Sequence, residues 1–151
     1  MRREALVIAL ALFVSAPVAL SAQARPDFSG KWILDTTSGP APEGAVELTV
    51  KQDAKTLTLT RRQGDQTTTE IHNLDGTETR ETIQALGGTR ERVSRATWDG
   101  NKLVINATLS VDGKILQQNR VMSMEGGNLV IEQIGPAGGG PATIKRVFKK
   151  K

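Results

Sequence analysis

Apolar and polar residues alternate along most of this chain. In "KLVINATLSV", Leu103, Ile105, Ala107 and Leu109 fall on one side, because successive side chains of a strand point to opposite faces. Val46, Leu48 and Val50 repeat the pattern, as do Leu57 and Leu59. No amphipathic stretch with a helical period is long enough to compete. The pattern predicts strands near 28–36, 45–52, 55–62, 66–73, 78–85, 89–98, 102–111, 114–124, 128–134 and 142–149. Between them stand turn sequences: "LDGT" (74–77), "WDGN" (98–101), "VDGK" (111–114) and "EGGN" (125–128). Asp-Gly and Gly-Gly accept the positive φ of tight hairpins. Hairpin after hairpin gives a meander in which each strand lies beside its sequence neighbour.

The alternation weakens between 63 and 97, where threonines and charges dilute Ile71, Leu74, Ile83, Leu86 and Val93. That half is expected either to be polar on both faces or to line a hydrated space. An open sheet of so many strands leaves two reactive edges, which closure removes. The expected fold is therefore all-β, an antiparallel up-and-down barrel of about 8–10 strands, which leaves room for one small ligand. Simple hairpin order favours the barrel over a two-sheet sandwich. Two Pro/Gly stretches interrupt the rhythm, "TSGPAPEG" (37–44) and "GPAGGGPA" (135–142). The second is no phosphate loop, since a strand and not a helix follows it and its prolines lack N–H donors. It is read as a rim loop, and the first stretch as a connection between the first and second strands.

The first residues change the picture from a bare barrel to an exported one. Arg2 and Arg3 precede the apolar run "ALVIALALFV", and Ala22-Gln23-Ala24 offers a small-x-small cleavage site. Ser15 and Pro17 break the run well short of the roughly 20 residues that span a bilayer. Residues 1–24 are thus expected to be a signal peptide cleaved after Ala24, and 25–151 a single domain of 127 residues in the periplasm or outside the cell. The chain has no cysteine, which excludes disulfides, thiolate metal sites and thiol nucleophiles.

Without Arg2, Arg3 and Glu4, 18 basic residues face 15 acidic ones, a net +3 concentrated in "KRVFKKK", Lys145–Lys151. Such a tail can make weak contact with an anionic envelope surface, although a solubilising end beside the last strand is the simpler reading. Nucleic acid is disfavoured, because the domain's aromatics are only Phe28, Trp32, Trp98 and Phe148 and stacking platforms need more.

Gly30 and Trp32 share a face of the first strand, which a closed meander pairs with the last. There Ile144, Arg146 and Phe148 alternate. An arginine between apolar neighbours can lie over an indole face. Gly30, Trp32 and Arg146 are therefore expected to form the closing seam and to plug one barrel end. "SGKW" with "KRVF" resembles the lipocalin and calycin superfamily of ligand-binding barrels. The set "FSGKWILDTTSGP", "NLDGTE" and "ATWDGNKLVI" is more closely similar to exported bacterial lipocalin-like proteins of unknown function. The resemblance implies an up-and-down barrel with the Trp32–Arg146 contact as architecture, and it carries over no ligand. The sequence departs from the wider pattern in having no helix after the first strand and no cysteine pair.

Nothing in the sequence identifies a reaction. His72 is the one histidine, with Glu70 two residues earlier on the same strand face; with no second histidine suitably spaced, no metal or other cofactor is expected. Trp98 precedes an Asp-Gly turn and is expected to cover a barrel end, with ligand contact as the alternative. Arg90 and Arg92 share a face and either meet an amphiphile's headgroup inside the barrel or pair with Glu78, Glu81 or Glu70 across strands. The reading is an exported, non-catalytic barrel for an apolar or amphipathic molecule, with Leu103, Ile105 and Leu109 as candidate walls and Arg90, Arg92 and Trp98 as candidate contacts. The alternative is an envelope interaction protein that binds a protein or anionic polymer through its outer surface.

Overall fold

The computed structural model of the protein describes residues 24–37, 42–85, 87–137 and 140–151. The expected leader lies outside the described residues, apart from Ala24. Ten strands follow in order: β1 (Gly30–Leu34), β2 (Val46–Gln52), β3 (Thr56–Gln63), β4 (Gln66–Asn73), β5 (Glu78–Ala85), β6 (Gly88–Asp99), β7 (Lys102–Val111), β8 (Lys114–Glu125), β9 (Asn128–Ala137) and β10 (Gly140–Lys150). Each predicted strand is found, shifted by two residues or fewer at most ends. The turns behave as their sequences require. At the β7–β8 hairpin Asp112 and Gly113 have φ of 50° and 76°, the pair of positive values that a two-residue turn between twisted strands needs.

The sheet order is β4-β3-β2-β1-β10-β9-β8-β7-β6-β5. All pairings are antiparallel, and the first strand pairs with the last as expected, with Trp32 opposite Lys150 and Leu34 opposite Phe148. The seam chemistry needs correcting. The cation over the Trp32 ring is Lys150, its ammonium 5.5 Å from the centroid, whereas Arg146 sits opposite Ile131 farther along β10. The indole N–H of Trp32 donates instead to the Phe28 carbonyl at 3.0 Å. Gly30 has its own reason to be glycine: its φ of +146° is strained for any residue with a Cβ.

Closure is also less complete than a perfect barrel. β4 and β5 are the two ends of the sheet and share no ladder. Side chains join them: the Ile71 N–H donates to Glu81 Oε1 at 2.6 Å, and the Asn73 N–H donates to Thr79 Oγ1 at 3.2 Å. The polar composition of 63–97 thus finds a use in pairing two edges that lack a backbone partner.

The interior is divided lengthwise. At the end formed by the β2–β3, β4–β5, β6–β7 and β8–β9 turns, Phe28, Trp32, Leu57, Leu103, Met122 and Leu129 are all fully buried. Phe28 is drawn in by Gln52, whose side chain accepts the Phe28 N–H and donates to the Pro26 carbonyl, both at 3.0 Å. Phe28 then stacks on Trp98 with centroids 5.9 Å apart, and the Arg25 guanidinium lies 5.3 Å from the Trp98 ring. This end is a filled plug. The basic tail forms the end of β10: Lys149 pairs with Asp35 at 2.8 Å, Lys151 with Glu47 at 2.5 Å, and Lys145 with Glu125 at 3.0 Å.

Candidate functional site

Toward the other end the strands keep alternating but the inward residues turn polar. There the barrel holds a cavity of about 350 Å³. One side of it is apolar: Leu34 from β1, Val46 and Leu48 from β2, Leu59 from β3, Ile131 from β9 and Phe148 from β10, with Pro42 at the rim. The other side carries Arg61, Thr68, Glu70, Gln118, Arg120, Gln133 and Arg146. A concave space with an apolar wall and a few converging polar groups is the usual form of a small-molecule site.

Glu70 anchors the polar side. Its Oε1 accepts from Arg92 at 2.7 Å, and its Oε2 faces both Arg120, at short range, and His72 Nε2 at 3.4 Å. Arg92 reaches on to Glu81, so β4, β5, β6 and β8 are tied through four charged side chains. Because a carboxylate only accepts, the His72 Nε2 hydrogen points to Glu70, and Nδ1, 3.0 Å from Ser94 Oγ, accepts the hydroxyl hydrogen when the ring is neutral. Burial by itself would push the Glu70 carboxyl up, but the His72 hydrogen bond and the Arg120 and Arg92 guanidiniums outweigh it and hold the group well below the usual carboxylate range. Burial disfavours the charge on Arg92 too, yet Glu70 and Glu81 prevail and keep it more firmly protonated than a free arginine.

A pH dependence follows. The folded Glu70 binds its proton less readily than the unfolded chain, whose glutamates titrate near 4.5. Its contribution to stability is therefore complete above that value and is lost as pH falls below it. Urea midpoints are expected to decline steadily from about pH 4.5 downward. Glu70→Gln should be less stable than the parent at pH 7 and show a shallower decline. Parallel pH profiles for the two proteins would contradict this account.

The candidate residues from the sequence sort by position. Leu103, Ile105 and Leu109 are buried on β7, and Leu103 and Ile105 belong to the main core. Trp98 belongs to the plug. Arg92 is in the charged network, and Arg90 pairs with Asp112 at 3.5 Å. None of the six lines the cavity, which is bounded by β1–β4 and β8–β10. For Arg92 the cross-strand pairing with Glu81 and Glu70 is the one observed. Arg146, expected to lie on Trp32, lines the cavity and donates to Gln133 Oε1 at 3.3 Å. Sequence reasoning missed Gln118, Arg120 and Gln133. Their signal was a polar residue at an inward position of an apolar alternation, as in Leu116-Gln118-Arg120-Met122. His72 is fully buried. Among the described residues no cluster of three or more His, Asp or Glu could hold a metal ion, and no helix is long and apolar enough to cross a membrane.

No family model matches the chain, and no curated protein matches it in sequence. Solved structures do. A structure described as the REP1-NXSQ fatty acid transporter is 16% identical with a TM-score of 0.58, the match covering 82% of this chain and 95% of the other. Zebrafish ileal bile acid-binding protein, complexed with cholic acid, is 18% identical at a TM-score of 0.59, covering 82% and 98%. The fluorescent protein UnaG is 20% identical at 0.58, covering 82% and 97%. At such identities the likeness is one of fold, an antiparallel lipocalin-like barrel.

Proposed function

We propose that this protein is an exported, non-enzymatic carrier that holds one small amphipathic molecule inside its barrel. The single observation that carries the reading is the two-sided cavity of about 350 Å³, with Leu34, Val46, Leu48, Leu59 and Phe148 facing Arg61, Arg120 and Arg146. Fold neighbours described as a fatty acid transporter and as a bile acid-binding protein with cholic acid support it by analogy. Export rests on the leader, and the processed chain should begin at Arg25, whose guanidinium packs over Trp98.

Native mass spectrometry of the protein from its host's envelope fraction tests the reading. A reproducible added mass that disappears on denaturation, with Arg25 at the N-terminus, is the expected result. Leu59→Trp, which fills the cavity from its apolar wall, should yield the bare mass. A bare parent mass, with no co-purifying lipid in the extract, would overturn the carrier and favour the outer surface as the working part.

A further inference from the structure

The cavity's charges are unevenly matched. Two carboxylates, Glu70 and Glu81, and two guanidiniums, Arg92 and Arg120, form the buried network and neutralise one another. Arg61 and Arg146 also line the cavity, and among the described residues neither has a carboxylate within ion-pairing distance. Their hydrogen bonds go to neutral amides, Arg61 to Gln63 and Arg146 to Gln133. Arg80, Arg90, Arg92, Arg95 and Arg120 are all paired with acids. Of the four described arginines without an ion pair, Arg25, Arg61, Arg62 and Arg146, two line this cavity, Arg61 exposed and Arg146 partly buried. A ligand seated in the cavity would withdraw both guanidiniums from water, where a charged group requires a partner, and among the described residues no carboxylate is in reach to supply one.

From this we infer that the polar end of the carried molecule is a doubly charged anion of the phosphomonoester class; the inference rests on the carrier reading above. A monocarboxylate would leave one guanidinium unneutralised. A phosphate monoester carries about −1.5 to −2 at neutral pH on three acceptor oxygens, and guanidinium forks match that geometry with paired hydrogen bonds. Gln118 and Thr68, also on the lining, add neutral donors to the same end. Glu70 is no obstacle, since Arg92, Arg120 and His72 already hold its carboxylate.

Three probes separate the possibilities: dodecyl phosphate, dodecanoate and inorganic phosphate, each titrated into the full protein by calorimetry at pH 8 and pH 5. At pH 8 dodecyl phosphate should bind about tenfold or more tightly than dodecanoate, the gain expected from one further charge-assisted hydrogen bond. The advantage should shrink at pH 5, below the second phosphate ionisation near 6. Arg146→Gln and, independently, Arg61→Gln should each weaken dodecyl phosphate more than dodecanoate and so remove most of the advantage. Equal affinity for the two amphiphiles would overturn the dianion and leave the carrier intact. Binding of neither would overturn both. Inorganic phosphate competing as well as dodecyl phosphate would uphold the dianion site and assign it to the free ion, against the amphiphile.

Discussion

Arg92→Met should cost about 3–5 kcal/mol of folding stability, the usual penalty for removing one partner of a buried ion pair. The Arg92 side chain is only 5% exposed, and its two terminal nitrogens reach Glu70 on β4 and Glu81 on β5. Without it two carboxylates face each other across a gap that no backbone ladder spans. One of them also receives the Ile71 N–H. The loss should therefore be local as well as global. In hydrogen exchange the Ile71 amide should lose protection more than amides in β9 or β10. Adding Glu81→Gln to Arg92→Met should recover part of the loss, because it removes the repulsion that the first change created. A loss below about 1 kcal/mol would mean that water already solvates the network, as for surface pairs.

The strand plan was legible because inward and outward residues alternate with little interruption, and because turn dipeptides mark the hairpins. Closure of β1 on β10 followed from the meander order itself. Longitudinal register was harder to read. Trp32 could be assigned an inward cation from β10, but Arg146 and Lys150 lie on the same face, four residues apart. Side-chain alternation cannot choose between them; only the observed pairing of Trp32 with Lys150 does. That one shift moves Arg146 from the seam to the cavity. The same limit explains the wall residues. Leu103 and Ile105 were correctly read as inward, yet inward at the plugged end means packed core.

The charged network was half visible. Candidate partners of Arg92 could be named from neighbouring strands, and Glu81 and Glu70 are among them. Arg120 could not be placed there, since it lies on β8, fifty positions from Glu70 in sequence, and reaches it across the barrel interior. The polar stretch 63–97 is consistent with a hydrated space: Thr68 and Glu70 line the cavity, and Glu81 and Arg92 stand behind it. Polar residues at inward positions were the useful sign, more so than the apolar ones beside them.

Trp32→Ala should be the most damaging of the apolar substitutions, at about 3–5 kcal/mol. The ring is 1% exposed at the plugged end, hydrogen-bonded to Phe28 and roofed by Lys150. Its removal leaves a hole that Phe28, held by Gln52, is poorly placed to fill. Leu48, directly opposite Trp32 on β2, makes the instructive control. It also lines the cavity, where part of its surface meets open space and not packed neighbours. Leu48→Ala should therefore fall near the low end for a buried leucine, about 2 kcal/mol. Binding should respond in the opposite order. Dodecyl phosphate affinity, measured where each variant is folded, should change little in Trp32→Ala and several-fold in Leu48→Ala. Adjacent side chains would then divide the two tasks, one closing the barrel and the other receiving the ligand. A Trp32→Ala protein that is stable but fails to bind would place the ligand against the plug and move the site to the end where Trp98 lies.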